Sequence, residues 1–293
     1  RAGRPGSPVP SPVRNPGPAL RVAASAGWGR IGVVLVVLPP SETKAEPAPR
    51  GAPVDLAALS FPELTPARER VLAAAIATTR EPDAPARFFV GPAVADEVAR
   101  NARLRELPAR PALEVYRGVL FDALDAATLS PAPRRRAAAG VVVVSGLWGA
   151  LRPDDRIPPY RLHVCSRLVG LPALEPLWRE VLPDVLARAA GAGVVLDCRS
   201  SGHRAMGAPA SLADRTVVVR VMRDDGSRRS VGAHDAKRTR GLVVRHLLET
   251  GADVGAPDAL PDALADRWPA VAVPPARPRQ PWTLEVVAEP RAA

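Results

Sequence analysis

The sequence predicts an α/β or mixed α+β protein, a single domain in which short buried strands are flanked by helices. Residues 33–38, 141–144 and 194–196 are short apolar runs, rich in valine and without a polar break. Such runs are typical of strands buried on both faces, as in a parallel sheet. Amphipathic spacing in residues 174–190 predicts a helix that covers such a sheet.

Composition bounds the size and content of the core. The 293 residues allow one large domain or two small ones, and a hydrophobic content of 47% is sufficient for a substantial core. Because aromatic residues make up only 4%, alanine, valine and leucine must fill that core. The 35 prolines predict many loops and short elements.

A formal net charge of +10 favours an anionic partner. Five arginines and no acidic residue lie in residues 1–32, so half of the excess charge belongs to that segment. Its Pro-, Gly-, Ser- and Arg-rich composition has no helical or strand period and predicts a disordered N-terminal extension. The folded domain is therefore predicted to occupy residues 33–290, and net charge alone makes only a modest case for nucleic acid.

Cysteine usage and hydropathy exclude several classes of protein. Cys165 and Cys198 are too few for a disulfide-stabilised secreted protein and favour the reducing cytoplasm. No apolar run reaches the length of a membrane span. The histidines and cysteines match no zinc or EF-hand spacing, although His163 and Cys165 would share one face of a strand. We therefore predict a cytoplasmic protein without a metal or another cofactor, and its oligomeric state is left open.

Cap and turn residues define elements in the first half of the chain. A proline-rich loop, residues 45–64, leads to a helix with Thr65 as the predicted N-cap and Pro66 as the first residue. A second helix is expected over residues 94–107. Residues 113–125 are predicted to form a strand or turn that leads into another helix. The run 134–136, three arginines, is interpreted as a solvated loop, with a nucleic-acid patch as the alternative.

In the second half, Pro183 is expected to kink the helix over residues 174–190. Residues 216–221 and 228–231 flank Asp224-Asp225-Gly226, which predicts a β-hairpin. Asp235 is predicted to cap a helix over residues 236–249. Residues 283–287 form the last predicted strand.

The central stretch, residues 141–162, reads VVVVSGLWGALRPDDRIPPYRL and places charged residues directly after a buried strand. Sheets of the α/β type place their sites at such strand ends. Gly146 and Gly149 allow another backbone segment or a ligand to approach closely. The alternative is a solvated loop stiffened by its prolines.

Lysine is almost absent, because only Lys44 and Lys237 are lysine among 40 basic residues. The two lysines are expected where arginine would not serve. Ser41 and Lys44 have the Ser-x-x-Lys spacing of penicillin-binding enzymes, but the Ser-Asp-Asn and Lys-Thr-Gly partner motifs are missing. We therefore interpret Lys44 as a contact for phosphate or carboxylate, with an ordinary surface lysine as the alternative.

Cations in the first turns of a helix are unfavourable for its dipole. Lys237, Arg238 and Arg240 occupy this position in the predicted helix 236–249, which makes sense if an anion binds at its N-terminus. A solvated basic face is the alternative. Tyr116 is predicted either to contact a ligand or to be buried with its hydroxyl satisfied.

Four motifs resemble those of the YaaA family of peroxide-stress proteins, and they occur in the family's order. They are LPPSETK (38–44), VYRGVLFD (115–122), SGLWGALRPDDRIPPYRL (145–162) and AKRTRG (236–241). The resemblance implies a role in limiting hydrogen peroxide and iron damage, and DNA binding. Where the family commonly reads Asn-Leu-Ala-Ser-x-Glu-Tyr, this chain has Asp197, Gly202 and His203 in place of Asn, Glu and Tyr.

These observations together predict a basic cleft that binds DNA or a nucleotide-like anion. The alternative is an enzyme acting on a nucleotide or another small anionic substrate, with Asp155 or Tyr160 as the acid–base group and Lys44 or Lys237 as the charge clamp. The catalytic candidates are Asp155, Tyr160 and Lys44. The predicted anion or nucleic-acid contacts are Ser41, Lys44, Tyr116, Ser145, Arg152, Arg161, Lys237, Arg238 and Arg240.

Overall fold

A seven-stranded sheet lies at the centre of the computed structural model, which describes residues 34–223 and 230–288. The order of its strands is β4-β3-β1-β6-β7-β9-β8, and β2 and β5 form a separate two-stranded ribbon. The strands are β1 (Leu35–Leu38), β2 (Arg110–Pro111), β3 (Val141–Ser145), β4 (Gly149–Leu151), β5 (Arg156–Ile157), β6 (Val195–Asp197), β7 (Thr216–Met222), β8 (Ala270–Val273) and β9 (Trp282–Val287).

The sheet is mostly parallel. Strand β1 pairs in parallel with β3, where Val36 lies opposite Val141, and with β6, where Val36 lies opposite Leu196. Strands β6, β7 and β9 continue the parallel arrangement, whereas β4 and β8 are antiparallel strands at the two edges. The apolar runs are uninterrupted because helices cover both faces of parallel sheets. The predicted α/β class is confirmed.

Helices connect and flank these strands. The longest, α10, packs on α5, α6 and β7. The helices are α1 (Thr65–Thr78), α2 (Ala84–Arg87), α3 (Ala95–Arg100), α4 (Ala112–Val115), α5 (Val119–Leu124), α6 (Pro131–Gly140), α7 (Leu174–Arg179), α8 (Leu182–Ala190), α9 (Ser201–Ala205) and α10 (Ala233–Thr250). Among the described residues, none of these helices has the length and apolar composition that crossing a membrane requires.

Aliphatic side chains fill most of the core, as the composition predicted. All five residues of β3 are buried, and so are all four of β1. Three tryptophans, Trp148, Trp178 and Trp268, are the largest fully buried side chains. The few aromatic residues therefore contribute to the core more than their number indicates.

Two glycines are required by close packing. A Cβ on Gly241 would lie 2.2 Å from the carbonyl oxygen of Leu120, so α10 approaches α5 only with glycine at this position. Gly149 has a φ of +67°, and a Cβ on it would lie 2.6 Å from the ring of Trp178. Gly149, the second glycine of the central stretch, is therefore needed for packing against Trp178.

Both predicted N-cap residues are wrong, because each helix begins earlier in the chain than the sequence predicted. Helix α1 begins at Thr65 itself, without a side-chain capping hydrogen bond, and Pro66 is its second residue. Helix α10 begins at Ala233, so Asp235 lies within the first turn. Pro66 and the acidic residue remain favourable there, because the first turn has free N–H groups and a positive dipole end.

Other boundaries also differ from the predictions. The helix predicted over 94–107 is α3 followed by a 3₁₀ turn, Asn101–Arg103, and the helix predicted over 174–190 is divided into α7 and α8. Pro183 lies in the first turn of α8, where its missing N–H is harmless. Strand β8 was not predicted. The turn predicted at 224–226 and the extension 1–32 lie outside the described residues.

The arginine run 134–136 lies in helix α6 and not in a loop. Arg136 points at the end of α10, where its Nε donates to the Leu248 carbonyl oxygen at 2.6 Å and its Nη2 to that of Glu249 at 2.8 Å. The last carbonyls of a helix need such donors. The run was assigned to a loop because the sequence does not show this contact, which joins residues more than a hundred positions apart.

A fully buried arginine joins α1 to the central stretch. Arg68 donates to the carbonyl oxygens of Trp148 at 2.9 Å and Ala150 at 2.7 Å, and to those of Ser60 at 2.8 Å and Phe61 at 3.3 Å. Burial lowers the pKa of Arg68 to about 10, against the opposing effect of Asp155. The guanidinium therefore stays charged at neutral pH and satisfies several buried acceptors at once.

Replacing Arg68 with methionine should lower the free energy of unfolding by about 3 kcal/mol or more, because each stranded buried acceptor costs about 1–3 kcal/mol. Urea unfolding followed by circular dichroism measures this. Arg70→Met is the matched control, since Arg70 is exposed on the same helix. Equal stability of the two variants would contradict the structural role of Arg68.

Candidate functional site

The carboxyl ends of β1, β3 and β6 meet at one edge of the sheet, called the carboxyl edge below. The chain passes from β1 to β3 on one side and then to β6 on the other, so the strand order reverses between β1 and β6. Open α/β sheets bind ligands at such a switch point. Lys44 follows β1, Ser145 ends β3 and Asp197 ends β6.

Lys44 folds back over its own loop. Its Nζ donates to the carbonyl oxygens of Ser41 at 2.6 Å and Glu42 at 3.3 Å, and lies 4.2 Å from the ring centroid of Tyr160. An isolated antiparallel bridge pairs Lys44 with Tyr116. The Ser41 hydroxyl donates to the Thr43 carbonyl. In a Ser-Lys enzyme the nucleophilic serine would instead donate to the lysine amine. This agrees with the rejection of a Ser-Lys hydrolase.

Lys44 lacks a counter-ion among the described residues. Burial is the main cause that lowers its pKa to about 7; Arg161 adds to this, while Glu42 and Glu97 oppose it. The Glu42 carboxylate is bound instead by Arg161, whose Nη2 lies 2.6 Å away, and Arg161 also lies 3.5 Å from Glu97. A large fraction of the Lys44 amine is therefore neutral at physiological pH.

Two buried tyrosines form a hydrogen-bonded group beneath Lys44. The hydroxyls of Tyr116 and Tyr160 lie 3.0 Å apart, and both interact with the Ser145 hydroxyl, which also accepts the Trp148 N–H at 3.0 Å. Burial raises the pKa of Tyr160 to about 12 and that of Tyr116 well above its usual range. Both tyrosines are therefore neutral phenols at physiological pH.

The burial of these rings corrects one expectation. Tyr116 is 0% exposed and stacks on Phe121, and Tyr160 is 4% exposed. Neither ring offers a free face, so contact between a ligand and the Tyr116 ring does not fit this structure. For Tyr116 the alternative of a buried tyrosine with a satisfied hydroxyl describes the geometry.

The exit of β6 carries a buried ion pair that the sequence analysis missed. Arg199 donates through Nε and Nη2 to the two carboxylate oxygens of Asp197, at 2.9 and 2.7 Å. The two side chains are 1% and 2% exposed, and Arg199 also donates to the Gly207 carbonyl at 3.0 Å. The signal was an Asp-x-Arg sequence directly after a buried strand. Where the family has Asn, this chain balances the charge of Asp197 with Arg199.

His203 lies beside the same cluster of cations. Burial is the main cause that lowers its pKa to about 4, and Arg199, His163 and Lys44 lower it further. Its Nδ1 is 2.9 Å from the Ser200 hydroxyl. His163, in turn, lies 3.7 Å from the Glu42 carboxylate. The carboxyl edge thus holds a neutral imidazole among positive charges.

The basic residues of α10 lie at the same edge. Gly241 contacts Leu120, and one turn later Arg245 donates to the Leu124 carbonyl at 3.0 Å, so α10 and α5 run in the same direction. Lys237, one turn before Gly241, is therefore level with the N-terminal end of α5. The adjoining Arg117 N–H donates to the Thr43 carbonyl at 3.1 Å, which places the Lys44 loop beside that end.

The three predicted cations of α10 differ in their surroundings. Lys237 and Arg238 are exposed, whereas Arg240 is half-buried and donates to the Val219 carbonyl at 2.9 Å. Because α10 begins at Ala233, Lys237 lies in its second turn and not at its first free N–H groups. No hydrogen bond or ion pair joins Lys44 to Lys237 in the described parts of the chain.

Arg152 and Asp155 are not brought to the carboxyl edge. Arg152 donates to the Ala139 carbonyl at 2.6 Å, at the opposite end of β3. Asp155 accepts hydrogen bonds at 2.8 Å from the Ser60 N–H and hydroxyl through one oxygen and from the Arg152 N–H through the other. Both side chains hold the loop that follows β4, so their predicted chemical roles receive no support from this geometry.

The structure defines an α/β protein in which charged residues gather at the switch point of a mostly parallel sheet. No group of three or more His, Cys, Asp or Glu residues within 34–223 and 230–288 is arranged to hold a metal ion. The family model described as peroxide stress protein YaaA matches residues 34–268. The chain belongs to this family, and the peroxide-stress assignment made from the motifs is confirmed.

Relatives of this chain carry the family designation UPF0246. The chain is 45% identical to one from Streptomyces coelicolor over 258 residues, 87% of this chain and 98% of the relative. It is 37% identical to one from Corynebacterium efficiens over 222 residues, 73% of this chain and 84% of the relative. A relative from Burkholderia thailandensis is 34% identical over 163 residues, which is 53% of this chain and 61% of that protein.

The low pKa of Lys44 predicts how stability depends on pH. Unfolded lysine titrates near 10.4, so between pH 7 and about 10 the unfolded chain carries a proton that the folded chain has released. The free energy of unfolding should therefore rise with pH in this window more steeply than in Lys44→Met. Denaturant titrations at several pH values measure the difference. Parallel curves for the two proteins would contradict the lowered pKa.

Proposed function

We propose that the protein serves the response to hydrogen peroxide by binding DNA at the carboxyl edge and thereby limiting iron-dependent damage. The observation that carries this proposal is a set of cations without carboxylate partners at that edge. Among the described residues, the exposed Arg117 and Lys237 form no ion pair, and the Lys44 amine, which is only partly charged at physiological pH, has no carboxylate partner either. Positive charge that no protein carboxylate neutralises is available for phosphate.

Such binding would be directed at the DNA backbone. The edge presents loops, one end of α10 and buried tyrosines, and we assign none of these elements to the reading of bases in a groove. Phosphate contacts position a protein without selecting a sequence. Protein cations also release the cations condensed on DNA. Iron ions are among such cations, so their displacement would move the source of oxidising radicals away from the strand.

Affinity should therefore fall steeply with salt and depend little on sequence. Fluorescence anisotropy with two unrelated labelled duplexes, from about 50 to about 200 mM salt, measures this dependence. Removing one phosphate contact lowers the slope of log K against log salt by about 0.9. We expect that decrease for Arg117→Gln and for Lys237→Gln.

Arg135→Gln is the control. Arg135 is exposed, and its neighbour Arg136 contacts the opposite end of α10 from Lys237. An unchanged slope in all three variants, or affinity that stays constant as salt increases, would contradict DNA binding at this edge.

A second candidate function is catalysis on a nucleotide or another small anionic substrate. It is favoured by the neutral groups that burial produces at the switch point, where the Lys44 amine lies over Tyr160 and close to His203. Groups with displaced pKa values in a strand-end site are typical of active sites. With Asp155 at the other end of β3, Tyr160 is the remaining acid–base candidate of the two that the sequence predicted.

Native mass spectrometry of the purified protein tests this candidate. A small anion should be retained by the wild-type protein and by Lys237→Gln, and lost from Lys44→Gln. Retention of nucleic acid alone, or of the same anion by Lys44→Gln, would speak against it.

A further inference from the structure

We propose that Lys44 is a nucleophilic amine that forms an imine with small anionic carbonyl compounds. This goes beyond DNA binding and does not depend on it. It rests on the second candidate function, and it names the reacting group and the class of substrate. Its support is the hydrogen bonding of Nζ, the missing counter-ion, the neighbouring charges and the pattern of lysine usage.

The hydrogen bonds of Nζ suit a neutral amine. The carbonyl oxygens of Ser41 and Glu42 accept two N–H groups, a number that a neutral amine also supplies, although an ammonium donates more strongly. The lone pair is then directed away from both oxygens and remains free to attack. The Tyr160 ring, whose centroid lies 4.2 Å from Nζ, stabilises the ammonium. The site therefore accommodates both the charged and the neutral form of Lys44.

No carboxylate of the described residues pairs with the ammonium. Glu42, which is the nearest acid in sequence, is held by Arg161 and turned towards His163. Burial and the charge of Arg161 shift the amine towards its neutral form. Desolvation beside another cation is a general way of activating lysine as a nucleophile.

The same positive charges select an anionic reaction partner. Arg161 is paired with Glu42, and because the Glu42 side chain is 57% exposed, this ion pair contributes little stability and exchanges readily. An incoming carboxylate or phosphate would then replace Glu42 at the guanidinium. A bidentate contact of this kind holds an anion in a fixed orientation beside Nζ.

The reaction is balanced without a further reagent. The Nζ lone pair attacks the carbonyl carbon and forms the C–N bond, and a proton moves from nitrogen to oxygen to give a carbinolamine. Loss of that hydroxyl with the second nitrogen-bound proton releases water and leaves the C=N bond. Neither partner is oxidised or reduced.

Lysine usage supports this role. In a chain whose other basic residues, apart from Lys237, are arginine, Lys44 is retained at a half-buried position enclosed by its own loop. A guanidinium forms no comparable imine and remains charged, so arginine would not serve here. Lys237 is exposed and provides an internal reference within the same molecule.

The test is reductive trapping with glyoxylate, the smallest anionic aldehyde, and sodium cyanoborohydride on the full chain. Peptide mass spectrometry separates labels on Lys44, Lys237 and the N-terminal amine. At a pH of about 7.5 we expect Lys44 to be labelled at least about tenfold faster than Lys237, with a rate that reaches half its maximum near pH 7. An exposed lysine reaches half its maximal rate only above about pH 10.

Acetaldehyde, which is neutral, tests the selection of an anion. The ratio of glyoxylate to acetaldehyde labelling should be larger at Lys44 than at Lys237, and Arg161→Gln should reduce it at Lys44 only. A Lys44 that is unlabelled, or labelled no faster than Lys237, overturns the proposal. Equal ratios at the two lysines overturn the anionic substrate class. Because no DNA is present, these results are independent of the salt dependence that tests DNA binding.

Discussion

Arg68 is the contact on which the central stretch depends. Its guanidinium reaches carbonyls of the segment before α1 and of the segment around β4, and the side chain is 0% exposed, so bulk water does not compete for these contacts. Asp155 secures the same two segments through Ser60 and the Arg152 N–H. Charged side chains such as Arg68 and Asp155 are tolerated in a protein interior only when nearly all their hydrogen bonds are satisfied.

The constraint reaches the candidate site through the chain that follows β4. This chain ends at Tyr160, which packs edge-on against Trp148 and lies beneath the Lys44 amine. The Tyr116 hydroxyl and Ser145 close the group from below. The low pKa of Lys44 follows from its burial and from the charge of Arg161, and the tyrosine group, positioned by the anchored loop before it, is part of what buries the amine.

The residues at the end of β6 form a separate, buried ion pair. The Asp197–Arg199 pair is satisfied within itself and with the Gly207 carbonyl, and it adds a fixed positive group beside His203. This arrangement differs from the family sequence at Asp197 and His203, where the resemblance led us to expect Asn and Tyr. The carboxyl edge therefore combines family residues, Lys44 and Tyr160 among them, with a histidine and an ion pair in which this chain departs from the family motif.

The sequence by itself determined most strands of the sheet, the aliphatic core and the family, because apolar runs and short motifs are local properties. It also singled out Lys44, Tyr116, Ser145 and Tyr160 as candidate site residues, since all lie in recognisable motifs. Only the tertiary structure decided that the tyrosines are buried, that Asp155 and Arg152 hold a loop, and that Lys44 has no counter-ion among the residues described. Burial and charge pairing depend on residues far apart in the chain, such as Glu42 and Arg161, and no local pattern records which of them meet.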